Sequence, residues 1–265
     1  MTRDFHLHTQ FSFDGRARME EYVLEAIRLG MEEICITEHQ ELYESGTEYR
    51  PYDGEGYLAE VKRLQELYGQ QLILRHGLEL GLRRDTADVA NMLAQKYPYD
   101  FIILSAHWCE GGKNFYSRPW DGWTNGDVFR LYLENFLDYI ELVPDFDVLG
   151  HITYYSRKSP YPEKAFHYGD APDQLDTLFR RLIQRGKGIE INTSTVDALG
   201  FSMPDGDILS RYRELGGEIL TIGSDAHSLA QFHRGLSHGE AAAKQAGFTH
   251  YTTFAKRKPV FHPFG

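Results

Sequence analysis

The chain has 265 residues, 42% of them hydrophobic, and a formal net charge of −11. This suits one large α/β domain, and the acidic balance gives no support to nucleic-acid binding. No apolar run reaches membrane-spanning length, no basic-then-apolar segment opens the chain, and Cys35 and Cys109 lie too far apart to suggest a disulfide framework, so a soluble cytoplasmic protein is expected.

The first strand is read at Arg3–Leu7, and the polar loop after it ends at Asp14-Gly15. A helix over about Arg18–Leu29 carries Tyr22, Val23, Ala26 and Ile27 at helical spacing and closes on Gly30. A short buried strand, Glu33–Thr37, leads to His39. Glu44–Glu55 is a polar loop long enough to rim a site, and a helix follows over about Gly56–Tyr68. Strand three is Leu72–Glu79, and helix three covers about Thr86–Lys96. The apolar run Phe101–Ser105 has the character of a parallel strand covered on both faces, and it delivers His107. The next loop holds Trp108, Tyr116, Trp120 and Trp123 and reads equally as a pocket wall or a packed cap. Helix four is about Asp127–Leu142, and strand five, Asp147–Gly150, delivers His151. Ser156–Pro172 is irregular, helix five is about Asp173–Arg185, and strand six is Gly188–Asn192. Helix six, about Asp207–Leu215, precedes strand seven, Glu218–Gly223, which delivers Asp225 and His227. A last helix near Gly239–Ala246 is followed by a short tail.

Strands alternating with helices about seven times imply a parallel sheet with right-handed crossovers, and a barrel-like single domain over residues 1–265 is expected. Catalytic groups in such folds gather at the C-terminal ends of the strands. The metal-type residues fall there: His6, His8, Asp14, His39, Glu79, His107, His151, Asp225 and His227. In His6-Leu7-His8 the strand period of two turns both imidazoles the same way. Six imidazoles and three carboxylates exceed one four-coordinate ion but suffice for two or three ions if a carboxylate such as Glu79 or Asp225 bridges. The mixed set suits Zn, Fe or Mn rather than Ca, and clustered metals are a device for phosphoester hydrolysis. His76, His167, His233, His238, His250 and His262 have no such position and are read as ordinary histidines. Asn192 and Ser194 read equally as substrate contacts or as turn-stabilising residues.

Together, His6-x-His8 with Asp14, Thr37-Glu38-His39, Gly77-Leu78-Glu79, Ser105-Ala106-His107, Gly150-His151 and Gly223-Ser224-Asp225-Ala226-His227 resemble the PHP (polymerase and histidinol phosphatase) family over essentially the whole chain. Leu149–Ile152 followed by Arg157, and Gly188–Ser194, are most similar to its monofunctional histidinol-phosphate phosphatases. The resemblance implies an α/β fold, a distorted (β/α)7 barrel of the PHP type, with three divalent metal ions (Zn, Fe or Mn). It implies that His6, His8, Glu79 and Asp225 hold one ion, that Glu79, His107 and His151 hold a second, and that Asp14, His39 and His227 hold the third. Asp14 stands where relatives carry histidine, which shifts preference toward harder ions. The implied activity is hydrolysis of L-histidinol phosphate to L-histidinol and phosphate, in histidine biosynthesis, by attack of a metal-bridging hydroxide. Glu79 and Asp225 would be catalytic, and Arg157 and Asn192 would bind substrate. Another small phosphate ester or a nucleotide is the alternative substrate. Exonuclease work is disfavoured by the charge, C–N hydrolysis by Glu79 where a modified lysine would bridge, and a non-catalytic role by the intact ligand set. Cys109, close to His107, is read as a buried or loop thiol rather than a ligand.

Overall fold

The computed structural model describes residues 1–41, 52–109, 113–114 and 121–265, with the side chains of residues 108, 109, 113, 114 and 158 left out. In chain order its strands are β1 (Arg3–Asp4), β2 (Glu33–Glu41), β3 (Ile73–Gly81), β4 (Phe101–Ser105), β5 (Trp108–Cys109), β6 (Lys113–Asn114), β7 (Val148–Leu149), β8 (Gly188–Asn192), β9 (Leu220–Gly223), β10 (His250–Ala255) and β11 (Lys258–Pro263). The helices are α1 (Met19–Arg28), α2 (Gly54–Tyr68), α3 (Ala87–Lys96), α4 (Asn125–Leu142), α5 (Pro172–Gln184), α6 (Val196–Leu199), α7 (Gly206–Glu214) and α8 (Leu236–Gln245).

Seven strands form one parallel sheet in the order β1-β2-β3-β4-β7-β8-β9. The sheet closes on itself. The Phe5 N–H donates to Ile222 O at 3.1 Å, Asp225 N–H to His6 O at 2.8 Å, and His8 N–H to Ala226 O at 2.9 Å. The helices between the strands cover the barrel with one apolar stripe each. In α1 the stripe is Met19, Tyr22, Val23 and Ala26, and Gly30 stops the helix at a φ of 69°. Helix α4 opens on a capping box between Thr124 and Asp127, and α5 on Pro172 in its first turn.

Strand alternation and the parallel register put Cys35, Thr37, His39 and Glu41 of β2 on the same face as Gly77, Glu79 and Gly81 of β3 and Phe101, Ile103 and Ser105 of β4. This is the inner face. Phe5, Cys35, Phe101, Ile103 and Val148 come from four barrel strands and their continuations, yet share one apolar cluster, which only the interior allows. A layer of hydrocarbon therefore fills the barrel beneath the polar residues of the mouth, with the Glu33–Arg75 ion pair, at 2.6 Å, nearer the N-terminal end of the same face.

The sixth member of that cluster, Phe254, corrects the expectation of a short tail. Residues after α8 form an antiparallel hairpin, β10 with β11, and Phe254 stacks on Phe101 with centroids 5.0 Å apart. Two smaller differences concern β1 and β2. β1 pairs regularly only over Arg3–Asp4, with an isolated bridge at Leu7, while β2 runs on through His39 to Glu41. The irregular stretch around 156–172 contains two single turns of 3₁₀ helix, Tyr154–Lys158 and Tyr168–Asp170. Most of the expected rim loop at 44–55, with Tyr116 and Trp120, lies outside the described residues, and the side chains of Trp108 and Cys109 are not described. Trp123 packs against the main core. Among the described residues no helix is long and apolar enough to cross a membrane.

Candidate metal centre

All nine sequence-derived ligand candidates meet at the C-terminal mouth of the barrel. Glu79, fully buried on β3, lies at the middle. Its Oε2 is 2.8 Å from His39 Nδ1, 3.3 Å from His6 Nε2 and 3.4 Å from His8 Nε2. Its Oε1 is 3.0 Å from His151 Nε2 and 3.6 Å from His107 Nε2. Asp225 Oδ1 is 3.3 Å from His8 Nε2, 3.5 Å from His227 Nδ1 and 3.8 Å from His6 Nε2. Asp14 faces His227 Nε2 at 3.2 Å and His39 Nε2 at 4.0 Å, and those two nitrogens are 3.4 Å apart. Two of the candidate ligands have left-handed backbone, Asp225 with a φ of 52° and His151 with a φ of 24°. Such strain outside glycine is concentrated at functional sites.

Three sets of ligand atoms each fall within 4.8 Å of one another: His6, His8 and Asp225; His8, His39 and His227; and His39, Glu79 and His107. Asp14 and His151 fall outside these three sets but touch them, at His227 and Glu79, while the histidines not read as ligands stand apart. His76 is packed between Tyr57 and Tyr99, and His238 pairs with Asp205 at 2.9 Å.

The donor set fits divalent cations. His6 Nε2, His8 Nε2, His39 Nδ1 and Glu79 Oε2 are buried without a hydrogen-bond partner, although they converge. Buried polar atoms left unpaired are costly, and a cation would satisfy all four together. The electrostatics agree. Burial opposes ionisation of Glu79, but the neighbouring His39 and His6 outweigh it and hold the carboxyl well below its usual range. Burial likewise opposes ionisation of Asp225, and His6, His8 and His227 overcome it. Burial, with His39 and His227 alongside, pushes His8 well below the usual imidazole range, which leaves its lone pair free. Burial also works against charge on His39, but Glu79, Asp14 and Glu41 push it up to about 10. A cluster this acidic and this buried requires positive charge at its centre, from protons or from metal ions competing for the same lone pairs.

Of the substrate candidates, Arg157 reaches the cluster, with Nη1 3.7 Å from Asp225 Oδ2 and its guanidinium over the Tyr154 ring. Asn192 is buried. Its amide donates to Glu190 Oε2 at 3.3 Å, and its carbonyl accepts from the Ser194 N–H at 3.1 Å and hydroxyl at 2.6 Å. Two buried carboxylates were not singled out by the sequence. Glu41 Oε1 is 2.5 Å from His107 Nδ1, and Glu190 Oε1 is 2.5 Å from His6 Nδ1. Their signal was present: Glu41 stands two residues after His39 on the same strand face, and Glu190 interrupts a fully buried strand, where a carboxylate must be paired.

Barrel, closure and cluster coincide with one family. A family model described as the PHP domain matches residues 4–194, and the chain belongs to that family. Its seven-stranded barrel is the PHP-type (β/α)7 barrel. Among curated relatives, a histidinol-phosphatase of Lactococcus lactis is 30% identical over 260 residues, covering 96% of this chain and 95% of the relative. A probable histidinol-phosphatase of Thermotoga maritima is 28% identical over 254 residues, 96% of each chain. The crystal structure of the L. lactis histidinol phosphate phosphatase complexed with zinc, L-histidinol and phosphate aligns with a TM-score of 0.87 at 29% identity, over 98% of both chains.

Proposed function

We propose that this chain is a single-domain, metal-dependent phosphomonoesterase that hydrolyses L-histidinol phosphate to L-histidinol and inorganic phosphate. The observation that carries the reading is the convergence of five imidazoles on Glu79 at the barrel mouth, with His227, Asp14 and Asp225 completing the cluster and Arg157 beside it. The L. lactis relative, bound to L-histidinol and phosphate, favours this substrate over another small phosphate ester or a nucleotide.

We assign three ions: one to His6, His8, Glu79 and Asp225, one to Glu79, His107 and His151, and one to Asp14, His39 and His227. Zinc is favoured by the relative, with Fe or Mn compatible with the same donors. When bound, divalent ions polarise phosphoryl oxygens and make water acidic enough to attack near neutral pH. Glu79, with three imidazole nitrogens facing Oε2 and two facing Oε1, would be shared between ions. Asp225, held ionised, can take a proton from the attacking water and return it to the leaving alcohol oxygen. The Arg157 fork would orient the phosphate through directed hydrogen bonds. Asn192 would bind the rest of the substrate by exchanging one of its hydrogen bonds to Ser194. A small-molecule substrate accords with the acidic chain, and the cytoplasm is the expected compartment.

The test is release of inorganic phosphate from a panel of phosphate esters by protein stripped of metal and reloaded with zinc, iron or manganese. Histidinol phosphate should give the highest kcat/KM. A nucleotide or sugar phosphate turned over tenfold better would transfer the assignment to that substrate.

A further inference from the structure

Glu190 sits in the middle of β8, buried, and belongs to none of the ligand sets. Its two oxygens are divided. Oε1 is 2.5 Å from His6 Nδ1, while Oε2 accepts the backbone N–H of His151 at 3.0 Å and the Asn192 amide at 3.3 Å. The opposite sides of the same two histidines face Glu79: His6 Nε2 is 3.3 Å from its Oε2, and His151 Nε2 is 3.0 Å from its Oε1. His6 and His151 therefore stand between one carboxylate behind and the bridging candidate in front.

The neighbouring strands leave room for this carboxylate. A Cβ on Gly223 would lie 2.9 Å from Glu190 Oε1 and 2.3 Å from His6 Cβ. A Cβ on Gly150 would lie 3.5 Å from Glu190 Oε2 and 2.6 Å from Ser105 Oγ. A side chain serving only to fill the barrel would not need to be anionic, because burying a carboxylate costs several kcal/mol unless it is fully paired. The charge has a use here. A carboxylate can only accept, so His6 must carry a proton on Nδ1, which makes Nε2 the nitrogen able to offer a lone pair to an ion in the cluster. His151 gains a different restraint: its N–H is tied down where its backbone has a φ of 24°.

We infer that Glu190 is a positioning residue of the metal centre: it fixes the His6 tautomer and the His151 backbone, and so orients two imidazoles assigned to two different ions. The inference rests on the metal-centre reading above. Outer carboxylates of this kind typically set metal affinity by 10–100-fold.

The experiment compares wild type, Glu190→Ala and Glu190→Gln after removal of metal by chelation. Folding of each metal-free protein is checked by circular dichroism, and each is then titrated with zinc against a chromophoric chelator. Glu190→Ala should fold and bind zinc about 10–100-fold more weakly. Glu190→Gln keeps an oxygen for His6 but turns an NH₂ toward the His151 N–H, so it should recover only part of the loss. If Glu190→Ala does not fold, Glu190→Gln decides: wild-type affinity in that variant overturns the positioning role. Wild-type protein that takes up no zinc would overturn the metal centre itself, and the inference with it.

Discussion

Arg157 has about a third of its side chain exposed, yet Nη1 is 3.7 Å from Asp225 Oδ2 at the edge of the cluster. A merely surface arginine would pair with a surface acid, for little gain. This one pairs with a buried carboxylate where an anionic substrate must arrive. Arg157→Ala should keep its metals and lose about 2–4 kcal/mol in kcat/KM, as other removed oxyanion donors do. Arg157→Lys should restore only part, because a point charge lacks the fork. Kinetics and metal content on the same samples decide, and an alanine variant within twofold of wild type would leave phosphate binding to other groups. His76 shows the opposite use of an imidazole. Burial among Tyr57 and Tyr99 pushes it from 6.5 down to about 4. Between those values the unfolded chain takes up a proton that the folded chain refuses, so stability falls as pH drops through that window, by up to about 1.4 kcal/mol per pH unit. His76→Phe keeps the aromatic packing without the proton. In metal-free protein its urea midpoint should fall less than wild type's between pH 7 and pH 4.5, and parallel curves would show that His76 does not resist protonation.

At the scale of elements, the βα alternation was legible because each piece carries its own period. Phe101–Leu104 is apolar throughout because both faces are covered, and α1 repeats its apolar stripe every three or four residues. The candidate ligand positions were legible for a related reason: polar residues at the ends of apolar strands are conspicuous. The hairpin β10–β11 was not. Its two-residue turn is Lys256-Arg257, both left-handed with φ of 51° and 65°, where local chemistry would call for Asn-Gly. Long-range contacts impose that turn. Asp100 accepts from the Lys256 N–H through Oδ1 and from the Arg257 N–H through its carbonyl, each at 2.9 Å. Asp147 and Asp145 hold the Arg257 guanidinium at 2.6 and 3.0 Å. None of this is written in residues 250–263 themselves. The hairpin's main contribution is Phe254, 2% exposed against the hydrocarbon that fills the barrel. Phe254→Ala should cost about 3–5 kcal/mol of unfolding free energy by urea titration while leaving turnover per bound metal unchanged. A loss below about 1 kcal/mol would mean the barrel floor is sealed without it.

For the whole molecule, the cluster and the barrel closure coincide. Among the described residues, ligand candidates come from β2, β3 and the ends of β1, β4, β7 and β9, while β8 supplies Glu190 behind them. The seam between β1 and β9 carries no regular ladder and is held by the backbone bonds of Phe5, His8 and Asp225 and the bridge between Leu7 and Ala226. His6 and His8 stand on one side of that seam, Asp225 and His227 on the other, with His8 Nε2 and Asp225 Oδ1 3.3 Å apart across it. An ion held by His6, His8 and Asp225 would therefore staple the joint that closes the barrel. An ion at 100 times its dissociation constant adds about 2.7 kcal/mol to the folded state. For a chain near this size each kcal/mol is worth roughly 2–4 °C in Tm, so one ion should raise the melting temperature by roughly 5–10 °C, and further ions should add to it. The gain should be uneven. Metal removal by a chelator should speed hydrogen exchange at the Phe5, His8 and Asp225 amides far more than at Leu78 and Leu80, which lie in the long β2–β3 ladder. Calorimetry and exchange on metal-loaded and metal-free protein measure the two effects separately. Equal melting temperatures would remove the staple, and a uniform rise in exchange would place the gain in the whole barrel instead of its seam.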